Sequence, residues 1–146
     1  MKNPELVFVQ ADFSSCLPLP YSDGGVRAGF PSPSQDYLEK SLDLNSELIH
    51  NPAATFYCKV VGDSMIDAGI RPGDLLVVDR SVTPQSGNLA ICVLNGEFTV
   101  KELDLSQRDY NLIRLIPRND HYSVIEVRPT DQFEVWGVVT YIIHRP

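Results

Sequence analysis

Basic residues are scarce in this sequence. Twelve lysines and arginines stand against nineteen aspartates and glutamates in 146 residues, a formal net charge of −7. Proteins that neutralise duplex phosphates do so with clustered Lys and Arg, so direct DNA binding is not expected. Cysteine is equally sparse: Cys16, Cys58 and Cys92 are odd in number and form no C-x-x-C pair. Neither a disulfide framework nor a zinc site is indicated, and free thiols are expected. No metal and no cofactor is called for. Long apolar runs are missing too. Nothing approaches the 18 or so residues of a membrane span. Leu6-Val7-Phe8-Val9 is shorter than the roughly 7 to 15 residues of a signal-peptide apolar region, so a cytoplasmic protein without a membrane anchor is expected. Against these absences, 43% hydrophobic and 21% charged residues are ordinary globular proportions, enough for one core domain with a tail.

Eleven prolines are more than average usage predicts, and they are unevenly spread. Pro4, Pro18, Pro20, Pro31 and Pro33 fall in the first quarter, among Gly24, Gly25, Gly29 and several serines. This composition resists regular structure, and residues 1–34 read as an extended N-terminal arm, either a loose terminus or a working part. From Gln35 to His50 the pattern favours two short helical turns, the second capped by Asn45 and ended before Pro52, so residues 35–51 form a short helical bridge. Beyond it, segments rich in β-branched and aromatic residues recur: Phe56 to Val61, Leu75 to Asp79, Leu89 to Leu94, Phe98 to Leu103, Asn111 to Ile116, Val124 to Val127 and Phe133 to Ile143. Pro72-Gly73 and Asn95-Gly96 are strong turn signals, the latter of the type I′ hairpin kind. Gly137 marks a bulge. The expected fold is mostly β, with an antiparallel domain over residues 52–146.

The chemistry-bearing candidates lie in that domain. In Val61-Gly62-Asp63-Ser64-Met65, a strand ends and a turn follows. Such a turn can present a serine hydroxyl beside backbone N–H groups, as an acyl-transfer site requires. Gly-x-Ser is also a common plain turn. A serine needs a base, and His50, His121 and His144 all fall in polar or terminal places. Lysine is the alternative, since a buried lysine serves as base in Ser-Lys enzymes. In the strand after Asn95-Gly96, alternation puts Glu97, Thr99 and Lys101 on one face, with Thr99 beside Lys101. Lys101 reads equally as an edge-strand charge that blocks aggregation. Catalysis demands enclosure: at the ordinary lysine pKa only about four in ten thousand amines are neutral at pH 7, and lowering it by about 3 units makes roughly a quarter neutral.

Gly62-Asp63-Ser64-Met65, then Gly73-Asp74-Leu75-Leu76-Val77-Val78-Asp79, then Gly96-Glu97-Phe98-Thr99-Val100-Lys101 together resemble the self-cleaving Ser-Lys peptidases that include LexA, phage repressors and UmuD. Ala28-Gly29-Phe30-Pro31-Ser32-Pro33-Ser34 is similar to the cleavage region of the UmuD and MucA group. The resemblance implies a LexA/UmuD-like C-terminal β domain, Ser64 as nucleophile, and Lys101 as base and later acid. It also implies oxyanion donors in the backbone N–H groups of Asp63 and Ser64, a supporting Thr99, and a scissile Ala28-Gly29 bond. Ala28 stands where UmuD relatives carry Cys and follows the LexA pattern; Asn88 stands where relatives usually have Asp. With only 28 residues before that bond and an acidic chain, a LexA-type repressor is not expected. The implied partners are a second copy in a homodimer, a RecA filament on single-stranded DNA acting as co-protease, and a UmuC-like translesion polymerase in the SOS response. Two other readings stay open: a non-catalytic polymerase-binding module, and a signal peptidase, which needs a membrane anchor.

Overall fold

The computed structural model describes residues 6–10, 15–21 and 40–146. The scissile bond expected at Ala28-Gly29 lies outside the described residues. Ten strands are described: β1 (Leu6–Gln10), β2 (Leu19–Tyr21), β3 (Lys40–Leu42), β4 (Thr55–Val60), β5 (Leu75–Asp79), β6 (Leu89–Leu94), β7 (Glu97–Asp104), β8 (Ile113–Ile116), β9 (Ile125–Val127) and β10 (Phe133–Ile143), with one helix, α1 (Leu44–Leu48). Among the described residues the strands form one eight-stranded sheet in the order β1-β4-β5-β10-β6-β7-β8-β9, every pairing antiparallel, and a separate β2-β3 pair. The expected mostly-β fold is the one observed, and the seven expected strands of the main domain are present within one or two residues at each end. Asn111, expected to open β8, instead takes a left-handed conformation that ends a 3-10 turn before it.

The first third differs from expectation in three places. The arm carries two strands, β1, which pairs with the β4 edge, and β2, which pairs with β3. Leu6 pairs with Val60 and is 4% exposed, whereas Val7 and Val9 face outward. Lys40–Leu42, expected to be helical, pairs with Leu19–Tyr21. The cap of α1 is Asp43, not Asn45: the Asp43 carboxylate accepts from the Asn45 N–H at 3.1 Å, the usual role of an aspartate just before the first turn. Asn45 instead uses its side-chain amide to donate to the Ser15 carbonyl at 2.7 Å, tying the helix to the arm.

One tight turn and two bulges shape the sheet. Asn95 and Gly96 both have positive φ, 49° and 84°, the conformation of the expected type I′ hairpin between β6 and β7. β10 runs through the centre of the sheet, and its pairing shifts between Val135 and Gly137 against β6 and between Val139 and Tyr141 against β5. An extra residue in one strand bends it and increases its twist, so the sheet curls and closes on two apolar clusters. One gathers Leu6, Cys58, Val60, Met65, Ile70, Leu76, Val78, Ile91 and Val100; the other Ala90, Cys92, Leu103, Leu115 and Val127. Phe8, Phe56, Phe98 and Trp136 form an aromatic group over the first cluster, with ring centroids 4.7 Å apart for Phe8 and Trp136 and 5.1 Å for Phe56 and Trp136. Arg80 lies 4.4 Å over the Trp136 ring and donates to the Trp136 carbonyl at 2.8 Å.

Gly137 is held at its bulge by space. A Cβ there would lie 2.6 Å from Val78 Cγ1 and 3.3 Å from Arg80 Cγ. Gly137→Ala is therefore expected to cost about 1 to 3 kcal/mol through overpacking, read as a melting temperature lowered by at least about 3 °C. The thiols give a second check. Burial pushes the Cys92 thiol up to about 12, and Cys58 is also buried, whereas Cys16 is exposed. Iodoacetamide at pH 8 should add one label, on Cys16, to the native chain and three after denaturation, counted by peptide mass mapping.

Candidate active site

β4 ends at Val60, and the chain turns at once. Gly62 and Asp63 lead into a reverse turn closed by the Ile66 N–H and the Asp63 carbonyl at 3.3 Å, followed by a 3-10 turn over Ile66–Ala68. Met65 and Ile70, 1% and 0% exposed, anchor this turn in the first apolar cluster. Ser64 immediately precedes the first of these anchors and is 2% exposed.

β7 brings the second group. Over Glu102–Asp104 it lies between β6 and β8, while Lys101 itself is paired with Ala90 of β6; its burial, not the strand order, sets aside the reading of an exposed edge charge. Val100 points into the first apolar cluster. Lys101 shares the opposite face with Thr99 and Leu103, as period-2 alternation requires. Lys101 is 4% exposed. Its Nζ lies 2.9 Å from Ser64 Oγ, 2.5 Å from Thr99 Oγ1 and 3.1 Å from the Val100 carbonyl oxygen. Residues 37 apart in the chain thus meet in one buried contact.

The three contacts at Nζ accommodate either protonation state: the three oxygens can accept the three N–H bonds of an ammonium, and the same places can serve a neutral amine. Such an amine has two N–H donors and one lone pair. The Val100 carbonyl can only accept, Thr99 Oγ1 can accept, and the Ser64 hydroxyl can donate to the lone pair. An ammonium enclosed to this degree loses most of its hydration, which favours the uncharged form. The arrangement can therefore polarise the Ser64 O–H bond. The pair opens onto a groove of about 1090 Å³ whose walls include Phe8, Gly62, Glu97, Phe98 and Tyr122, at or above the usual 300–1,000 Å³ of small-molecule pockets.

Of the residues singled out in the sequence, Ser64, Asp63, Thr99 and Lys101 converge here, while Ala28 and Gly29 lie outside the described residues. The three histidines do not converge. His50 Nε2 is 2.9 Å from the Glu47 carbonyl, His121 lies in an exposed loop, and His144 Nδ1 is 2.7 Å from Asp74 Oδ1. Asn88, the departure from the relatives' Asp, keeps its turn: its Oδ1 accepts from the Gln85 N–H at 2.8 Å. Sequence reading missed the loop joining β8 to β9. Arg118 N–H donates to the Ser64 carbonyl at 2.9 Å, Asn119 Nδ2 to the Asp63 carbonyl at 3.0 Å, and Tyr122 Oη to Asp63 Oδ1 at 2.6 Å. No motif signals these contacts, which span more than fifty residues of chain.

Comparison with known proteins accords with this geometry. The family model described as Peptidase S24-like matches residues 20–140. ImpA of Escherichia coli is 48% identical over 119 residues, 82% of this chain and 79% of ImpA. MucA of Escherichia coli is 37% identical over 142 residues, 96% of this chain and 94% of MucA. The LexA repressor of Stenotrophomonas maltophilia is 37% identical over 115 residues, 79% of this chain but 53% of that repressor. The chain belongs to the Peptidase S24-like family, with its serine peptidases of the LexA and UmuD kind, and within it to the UmuD/MucA type of SOS protein.

Proposed function

We propose that the protein is a serine endopeptidase with a Ser64–Lys101 dyad that cuts its own chain at Ala28-Gly29. The observation that carries this reading is the 2.9 Å contact between two buried groups, Lys101 Nζ and Ser64 Oγ. An inert relic would have no need to enclose an amine at a cost of several kcal/mol, and a non-catalytic module would be consistent with an exposed or distant Lys101, which is not the arrangement found.

The reaction proceeds in two halves. Lys101 Nζ accepts the Ser64 hydroxyl proton as Oγ bonds to the Ala28 carbonyl carbon. The backbone N–H groups of Asp63 and Ser64 receive the negative charge that develops on the carbonyl oxygen. As the C–N bond breaks, the Lys101 ammonium returns the proton to the Gly29 amine, leaving residues 1–28 esterified to Ser64. Lys101, neutral again, then deprotonates a water that hydrolyses the ester. Thr99 Oγ1 and the Val100 carbonyl hold the amine on line throughout. The 35 residues from Gly29 to Ser64 could span more than about 100 Å if extended, so reach permits cleavage within one chain or between two.

By likeness to UmuD and MucA, we assign the product to a homodimer that serves a UmuC-like translesion polymerase in the cytoplasm, with cleavage stimulated by a RecA filament on single-stranded DNA. The family resemblance and the match along 94% of MucA support this reading over a repressor. The acidic charge of −7 supports it too.

The purified full chain is expected to lose residues 1–28 slowly at mildly alkaline pH and faster with RecA, ATP and single-stranded DNA, as read by intact mass. The rate without RecA should rise with pH, because the active amine is the deprotonated form, and level off once Lys101 is neutral. Ser64→Ala and Lys101→Ala should each slow the reaction by about 10³-fold or more in both settings. An unchanged mass after prolonged incubation in both settings refutes the reading.

A further inference from the structure

The turn that carries Ser64 is gripped by the β8–β9 loop at both peptide groups flanking the serine. The Asp63 carbonyl, which shares a peptide plane with the Ser64 N–H, accepts from Asn119 Nδ2 at 3.0 Å and from the Ile66 N–H at 3.3 Å. The Ser64 carbonyl, in the next plane, accepts from the Arg118 N–H at 2.9 Å, and the Arg118 carbonyl accepts from the Asp67 N–H at 2.7 Å. Two fixed planes on either side of one Cα fix its φ and ψ, and with them the direction of the Ser64 Cβ–Oγ bond toward Lys101. In a trans peptide the C=O and N–H point opposite ways. Holding the Asp63 carbonyl against Asn119 therefore aims the Ser64 N–H away from the loop.

Asn119 is itself oriented. Its Oδ1 accepts from the His121 N–H at 3.0 Å, which leaves Nδ2 as the end that faces Asp63. A reversed amide would set oxygen against the Asp63 carbonyl and nitrogen against the His121 N–H, two mismatches at once. Tyr122 Oη adds a bond of 2.6 Å to the Asp63 carboxylate, so the residue before the serine is held through both its main chain and its side chain.

We propose that Asn119 is a positioning residue for the peptidase reaction: its side-chain amide holds the Asp63–Ser64 peptide so that the Ser64 N–H faces the developing oxyanion, and Tyr122 braces the same residue. The proposal rests on the peptidase reading above. Asn119 donates to the main chain beside the serine and not to the serine side chain. It acts through one peptide plane, and the loss of its amide leaves the Ser64–Lys101 contact in place while loosening the oxyanion site.

The discriminating variant is Asn119→Ser. A serine hydroxyl can still accept from the His121 N–H and keep the loop turn, but it is too short to reach the Asp63 carbonyl. The full-length variant is expected to melt within about 2 °C of the wild type, to self-cleave about 10- to 100-fold more slowly, and to keep the wild-type midpoint in its pH–rate profile, because the Lys101 partners are untouched. The range is at or below the usual effect of one lost oxyanion donor. Asn119→Ala should slow cleavage to the same extent, whereas a role confined to the loop turn would make Ala much worse than Ser. Tyr122→Phe, a milder change, should cleave about 2- to 5-fold more slowly and carries the test if the Ser variant does not melt cooperatively. Cleavage by the folded Asn119→Ser chain within about twofold of wild type overturns the proposal, as does a moved pH midpoint or, where the test falls to it, a Tyr122→Phe chain that cleaves at the wild-type rate. If the wild-type chain behaves like Ser64→Ala, the peptidase reading itself has failed and the proposal falls with it, an outcome distinct from active wild type with an unaffected variant.

Discussion

The enclosure of one amine is the constraint around which this molecule is arranged. A lysine in water is a cation, and a cation buried without compensation is strongly disfavoured. Lys101 is 4% exposed and meets two hydroxyls and a backbone carbonyl at its tip. Burial disfavours the ammonium there, and the three oxygens offset part of that cost. To create that enclosure, β7 must pair with β6 at Lys101, a sharp turn must deliver Ser64 from the end of β4, and a distant loop must hold that turn still. Each of these is a property of the sheet as a whole.

The curl of the sheet follows from β10. Eleven residues long and flanked by β5 and β6, it would make a flat ribbon without its two bulges. The bulge at Gly137 lets Val78 and Arg80 pack where a side chain would otherwise stand, and the bending brings the β4 side of the sheet over the β6–β7 hairpin. Ser64 and Lys101 meet across that fold. Polar pins at the rim do similar work: the 2%-exposed Asp74 accepts from the Arg71 N–H at 2.8 Å and contacts His144, tying the chain's end to the Pro72-Gly73 turn. Burial alone would raise the Asp74 carboxyl, yet the Arg71 N–H and His144 together hold it below the usual range.

The arm is more deeply involved in the fold than its composition suggests. Leu6 belongs to the main apolar cluster, and Phe8 stacks on Trp136 and Phe98 at the wall of the groove. Residues on the N-terminal side of the proposed cut thus contribute both a sheet edge and part of the groove. In the intact chain β1 is a tethered strand; cut from the chain, it would be held by noncovalent contacts alone and would exchange with solvent according to its concentration.

Local chemistry determined much of this protein directly from its sequence. Asn95-Gly96 had to make a type I′ turn, because few residue pairs take positive φ twice. The alternation in Glu97–Asp104 had to put Thr99 beside Lys101, and the apolar runs of residues 55–143 had to be strands. The four residues now gathered at the site were each legible as candidates, with their proposed roles carried by family resemblance. Legibility failed where a partner lies far along the chain. Leu6–Gln10 and Lys40–Leu42 have no strong local signal, and only the β4 edge and Leu19–Tyr21 make them strands. Asn45 and Asp43 are both good caps by type, and tertiary contact with Ser15 decided between them. Whether Lys101 was an exposed edge charge or a buried amine, and that Asn119 and Tyr122 would grip Asp63, depended on the tertiary order in which strands and loops pack. That order is set by long-range packing and hydrogen bonding, for which a linear sequence carries no local mark.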